Sequence, residues 1–378
     1  MSALEEWLML LLLEHDVNML RVEAETKSRV LALLILMQKD LVSIIANAPA
    51  MSELGKLGKG AILRESNTVI AEYYGKAALQ VDLAGIADVE AMGVKRALAD
   101  VLERAAGPLS AEVRIGLALP TENYLQKLAS DVLIQGSPAK NWWLRQQQDT
   151  QFKLANEIRI GAAQGETNAQ IIKRIVGQDA TVAKAPTVPG ALPAVEPSIP
   201  GVMPLARKNA AAIVQTSMAT VAAEARRKTF QLNADITRGI VQHSTLDSHT
   251  SLTCIAYDGA TWDLEYQPIE GNDLPYNGGT PRHWACRSAE AALMLTLRQM
   301  GIDMDEPDPG MRASSSGPVS AKTTFADYLK SKGEDYQNEV LGKGRAELFR
   351  AGKISVRDLL DMRGQPLKLE ILKAKYAQ

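Results

Sequence analysis

Three of the four histidines, His243, His249 and His283, and both cysteines, Cys254 and Cys286, fall between residues 243 and 286. They sit in two short runs, Asp247-x-x-Thr250-x-x-x-Cys254-x-x-x-Asp258-Gly259 and Pro281-x-His283-x-x-Cys286-Arg287. The first run offers a thiol, the second an imidazole and a thiol. Cys, His and Cys are ligand types that suit Zn²⁺, and His249, His243 or Asp247 lies in the same stretch as a fourth ligand, His249 being the candidate taken forward. Neither run carries the paired C-x-x-C units of a zinc ribbon. Two other arrangements therefore fit the same residues: a hydrogen-bonded Cys/His cluster without metal, and a disulfide between Cys254 and Cys286. Two cysteines in 378 residues cannot build a disulfide scaffold, and they suit a reducing compartment or a metal site.

An enzyme built here would use His249 or His283 as base and Asp247 or Asp258 as orienter, with a metal-bound water at Cys254, His283 and Cys286. The chain has no G-x-S-x-G elbow, Walker A loop, H-E-x-x-H helix or dinucleotide fingerprint to support such chemistry. The expectation is a protein without enzymatic activity, with a metal-dependent hydrolase or nuclease as the alternative.

The elements that must carry these runs are mostly helical. Residues are 46% apolar but only 5% aromatic, a balance that favours helix over strand and excludes an all-β fold. Between Ala3 and Ala48 no Gly or Pro interrupts the chain, so 3–48 reads as one long or once-broken helix, about 65–70 Å if straight at 1.5 Å per residue. Its blocks Trp7–Leu13 and Val30–Met37 are apolar all round and need cover, from this chain's own bundle or from another subunit. Trp7, Leu8, Leu11, Leu12 and Leu34 are the partner-binding candidates. Neither block is long enough to span a membrane, and Glu5 and Glu6 stand where a secretion signal needs Lys or Arg.

Residues 55–135 read as several helices without a chemical motif, and 140–177 as a helical hairpin whose second helix is capped near Thr167, with Trp142 and Trp143 as packing anchors. This completes a helical N-terminal region over 1–178. Six prolines make 179–204 an extended arm. Helix resumes from Leu205 to about Asn233 and leads into short strands and ordered loops over Thr237–Ser288. The region 205–304 is thus a small α+β core, followed by a hinge at 305–321 and a small helical, basic module at 322–378. The fold class is α+β, predominantly helical. Net charge is −2, so any nucleic-acid contact must be local. Arg207, Lys208, Arg226, Arg227, Lys228 and the basic tail are its candidates.

The stretches LDSHTSLTCIAYDG and PRHWACRS resemble, in order and spacing, the phage head morphogenesis family, the Mu F-like minor head proteins. In that family a helix like Ala206–Arg227 leads into a strand, a D-x-x-T-x-x-x-C-x-x-x-D-G loop and an H-x-x-C-R turn. Many relatives carry a further Cys three residues after the first and end in C-R-C, where this chain has Tyr257 and Ser288. A four-cysteine site is therefore absent. The GAAQGETNAQIIKRIVG turn and the tail from Thr324 to Leu369 are similar to other parts of such proteins, so the resemblance covers roughly 140–378. It implies a minor head protein that binds the portal during procapsid assembly and stays inside the head near the portal. Expected partners are the portal protein, the major capsid or scaffolding protein and packaged DNA, with no membrane and several copies per particle. The expected places are the virion and, before assembly, the host cytoplasm. Asp247, Thr250, Cys254, Asp258, Gly259, His283, Cys286 and Arg287 form the expected structural cluster, with structural zinc as its candidate cofactor. A DNA-binding virion protein is a further alternative.

Overall fold

The computed structural model describes residues 3–107, 116–178, 181–182, 195–196, 200–303, 311–312, 314–320 and 322–376. It is predominantly helical α+β, with one small three-stranded antiparallel sheet. Two compact units share the chain: one gathers 1–20, 83–131 and 219–378, the other 21–82 and 132–218.

The second unit is helical. It takes the later part of α1 (Ala3–Ala46), then α2 (Lys56–Ala78), α5 (Ala139–Ala163), α6 (Asn168–Val176) and the start of α7 (Val202–Leu232). With no Gly or Pro inside it, α1 runs 44 residues without a break. The hairpin α5–α6 forms where the sequence placed it. Thr167 caps α6 by accepting from the Gln170 N–H, while the Gln170 side chain accepts from the Thr167 N–H. Arg174 closes the turn with a two-pronged bond to Glu166. Gly161 permits the close crossing, since a Cβ there would lie 2.5 Å from Ile171 Cγ1. Trp143 is buried in this unit, and Trp142 donates to the Ile134 carbonyl, so both tryptophans anchor packing. Of the Pro-rich arm, only β1 (Thr181–Val182), its antiparallel partner β2 (Val195–Glu196) and residues 200–204 are described. The remainder of the arm lies outside the described residues.

The first unit holds the site. Its sheet has the order β4-β3-β5, with β3 (Thr237–His243) between β4 (Thr261–Asp263) and β5 (Ala289–Met294). Against this sheet pack Leu4, Leu8 and Leu12 from α1, Val94, Leu98 and Leu102 from α3 (Leu83–Ala106), and Phe230 from α7. The same unit contains α4 (Glu122–Asp131). The expectation that α1 offers its leucines to a partner is corrected here. Leu8, Leu12 and Leu34 are at most 2% exposed, and Trp7 and Leu11 pack against the same interior cluster as Leu8 and Leu12. Each block buries part of its circumference in its own chain and leaves the rest in solvent, as Leu13, Ile35 and Leu36 show. The solvent-facing apolar residues on the early turns of α1 are instead Leu13, Val17 and Leu20.

Two arginines at the end of α7 are also corrected. Arg226 and Arg227 are 5% and 2% exposed, so neither belongs to a solvent-facing basic surface. Arg226 bonds Glu90 at 2.5 Å, Asp16, and the Glu290 carbonyl, and His15 reaches the other Glu90 oxygen at 3.0 Å. Burial pushes the Glu90 carboxyl up, and Arg226 with His15 outweighs it, leaving the group below the usual carboxylate range. Arg227 meets Glu290 at 2.9 Å, and Glu290 also accepts from Tyr276 Oη at 3.0 Å and from the Thr280 N–H at 2.7 Å. That last bond fixes the start of the loop carrying His283.

The C-terminal part does not hang free beyond a hinge. Within 305–321, β6 (Met311–Arg312) pairs antiparallel with β7 (Val319–Ser320), while 304–310, 313 and 321 lie outside the described residues. Phe325, Tyr328 and Leu329 from α9 (Phe325–Lys330), with Leu341 from α10 (Glu334–Leu341) and Leu348 and Phe349 from α11 (Lys343–Arg350), share one apolar cluster with Leu246 and Ile255 of the core. The last helix, α12 (Leu369–Tyr376), adds Leu372 to that cluster.

Candidate metal centre

The loop after β3 contains an element that the sequence did not signal, the short helix α8 (Leu252–Tyr257). Ser251 caps it by accepting from the Cys254 N–H at 3.2 Å, which turns Cys254 inward in the first turn. Six residues are too few for a 3.6-residue periodicity to register. The partner loop is held between Thr280, tied to Glu290, and β5, which begins just after Ser288. The two loops thereby meet as their shared Cys/His content predicted.

Cys254 Sγ lies 3.6 Å from Cys286 Sγ and 3.3 Å from His283 Nε2, and the three ligand atoms all fall within 4.8 Å of one another. Both cysteines are buried and unbonded to each other. The His283 ring is oriented by its far nitrogen. A carbonyl can only accept, so the 3.0 Å contact to the Trp284 carbonyl places a proton on Nδ1 and turns the Nε2 lone pair toward the sulfurs. Ser251 Oγ, 2.8 Å from Nε2, is then the donor to it.

These residues fit a tetrahedral ion. Zn–S bonds of about 2.3 Å and Zn–N bonds of about 2.0–2.1 Å imply S···S and S···N edges of about 3.8 and 3.5 Å, within a few tenths of an ångström of the two edges from Cys254, while the three ligand atoms together lie within 4.8 Å. No fourth His, Cys, Asp or Glu joins the group among the described residues. His249, the expected fourth ligand, is exposed and outside the group, its backbone N–H bonded to Asp247 Oδ1 at 3.0 Å.

Without metal, the thiols share their protons unequally. A hydrogen bond from Cys254 lowers Cys286 to about 3, aided by His283 and the Ser288 N–H against the cost of burial. The same bond, together with burial, pushes Cys254 up. His283 is raised, first by its hydrogen bond to Cys286. A divalent ion held here displaces thiol protons, so its binding is favoured as pH rises.

The other motif residues hold the loops to each other and to the C-terminal module. Arg287 grips Asp247 with two bonds of 2.5 and 2.8 Å, keeping that carboxyl below its usual range although burial opposes it. Thr250 Oγ1 donates to the Thr245 carbonyl and to Asp247 Oδ1. Asp258 spans two elements, accepting from the Ser244 N–H and the Phe325 N–H at 2.7 Å each, the latter at the first turn of α9. Gly259 follows at φ +78°, where other residues are strained, and its N–H donates to the Gln242 carbonyl.

Arg282, which sequence reasoning passed over, packs its guanidinium 3.5 Å from the centroid of the Tyr257 ring and bonds Gln242 and the Tyr276 carbonyl. Its placement beside His283 was the available signal. Comparison with family models, curated proteins and solved structures gives no match for the chain. No helix among the described residues is long and apolar enough to cross a membrane.

Proposed function

We propose that the chain is a structural minor head protein of a tailed phage, engaging the portal during procapsid assembly and remaining inside the head, where its partners are the portal, the capsid or scaffolding protein and packaged DNA. The motif resemblance supplies this reading. One observation supports its structural rather than catalytic sense: Asp247, Thr250, Asp258 and Arg287 direct their polar atoms at backbone groups and at one another. The same side chains that a catalytic reading would use as orienters are engaged in holding loops.

Within this reading the cofactor is a structural zinc ion held by Cys254, His283 and Cys286. Bound there, it would cross-link α8 to the loop before β5, supplying stability rather than turnover. Co-expression of the tagged chain with portal and major capsid proteins tests the assembly role. Co-purification of portal is the expected result, and its absence under conditions where procapsids form sinks the proposal.

The three-ligand set favours a second reading, because catalytic zinc sites keep one position for water. A metal-dependent hydrolase activity lost in Cys286→Ser, with the melting curve unchanged, would establish that alternative.

A further inference from the structure

Where the serine-rich loop 314–317 meets α9, a set of hydroxyls converges on one ammonium group. Ser315 Oγ is 2.8 Å and Ser316 Oγ 3.2 Å from Tyr328 Oη, and Lys332 Nζ donates to Ser316 Oγ at 2.7 Å. Lys332 Nζ also stands 4.4 Å from the Tyr328 ring centroid and 6.0 Å from that of Tyr336. Tyr336 packs edge-on to Tyr328, and its hydroxyl lies beside those of Ser315 and Tyr328. The loop is fixed in place, since the Ser315 N–H donates to the Leu246 carbonyl and Ser314 Oγ to the Gly317 carbonyl.

Among the described residues no carboxylate pairs with Lys332, and the nearby Asp247 is already occupied by Arg287. Serine, tyrosine and lysine together present several O–H and N–H groups and one positive charge. The surroundings favour negative charge on an oxygen at this spot: burial raises the Tyr328 phenol, yet the three serine hydroxyls and Lys332 outweigh it and bring it down to about 8. Tyr328 is 2% exposed while Ser315 and Ser316 are exposed, so the serine side of the group faces solvent.

We propose that Ser315, Ser316, Tyr328, Lys332 and Tyr336 form a binding site for a phosphoryl oxyanion, either free phosphate or a phosphodiester of nucleic acid. The site is separate from the Cys/His cluster and stands whether or not that cluster holds metal. The test is calorimetric titration of the full chain with inorganic phosphate, and in a second arm with duplex DNA at several salt concentrations. Phosphate should bind, and Lys332→Met and Ser316→Ala should each weaken it about tenfold or more, the worth of one charge-assisted hydrogen bond. Lys353→Met, at an exposed lysine elsewhere in the module, should change nothing. Thermal melts confirm that each variant is folded, and Ser316→Ala, at an exposed position, keeps the test decisive should Lys332→Met misfold. DNA binding that is weakened by Lys332→Met and competed by phosphate identifies the phosphodiester source, whereas phosphate binding without DNA binding identifies the free anion. Absence of phosphate binding to the wild type, or equal affinity in wild type and both variants, overturns the proposal.

Discussion

Replacing Glu290 with alanine should be among the most damaging single changes in the chain. Its carboxylate is 2% exposed, faces the equally buried Arg227 at 2.9 Å, and accepts from the Thr280 N–H and the Tyr276 hydroxyl. The substitution removes one partner of a buried ion pair: Arg227 keeps Glu224 at 2.6 Å and the Thr280 carbonyl but loses its buried counter-charge, and the Tyr276 hydroxyl and Thr280 N–H lose their acceptor. Breaking such a pair costs about 3–5 kcal/mol. The orphaned donors overlap with that figure rather than adding to it, because all three share one acceptor group. In a unit of this size each kcal/mol moves the midpoint by about 2–4 °C, so the melting temperature should fall by about 6–20 °C. Arg227→Met combined with Glu290→Leu removes both charges and should melt above Glu290→Ala alone, since hydrophobic replacement of a whole buried pair is often neutral. Circular dichroism melts of the three proteins suffice. A midpoint for Glu290→Ala within about 2 °C of wild type would refute the reasoning, given the size of the expected cost, as would a double variant less stable than the single.

Cys286→Ser should lower the melting temperature and reduce bound zinc measured by atomic emission, and a wild-type protein purified without bound metal would remove the cofactor from the account. Asp258→Ala deprives two part-buried N–H groups of their acceptor, at about 1–3 kcal/mol each; limited proteolysis should then cleave near 304–324 faster than in wild type. Leu8→Ala should cost about 2–5 kcal/mol as a core truncation, whereas Leu20→Ser should stay within about 0.5 kcal/mol, and the opposite order would return the N-terminal leucines to a partner-binding role. Asp247 and Asp327 have lowered carboxyls, so their contribution to stability is present above the unfolded value of about 3.9 and is lost as pH falls through the folded one. Acid melts should therefore show Asp247→Asn losing less stability than wild type between about pH 4 and pH 2.

Local chemistry was legible in the sequence. The Thr167 cap, the unbroken N-terminal helix and the meeting of the Cys254 and Cys286 loops follow from spacings of a few residues, where propensity and ligand type act directly. What escaped reading depends on contacts between distant segments. Arg226 joins Asp16 and Glu90 across 210 and 136 positions, so its sequence neighbours Arg227 and Lys228 suggested a basic surface instead of an interior network. Leu8 and Leu12 misled for the same reason, since periodicity states that a face is apolar but not which element covers it. His249 was chosen as a ligand by proximity in sequence, yet the turn around Asp247 leaves it in solvent. Asp258, which accepts from the first turn of α9, illustrates the converse, a motif residue whose second partner lies 67 positions on.

The most direct test of the assembly role is the number of copies of this chain in purified procapsids formed with and without portal protein. A small, reproducible number of copies is expected when portal is present, with loss of the chain from portal-free particles. Equal incorporation in both, or none in either, would contradict it.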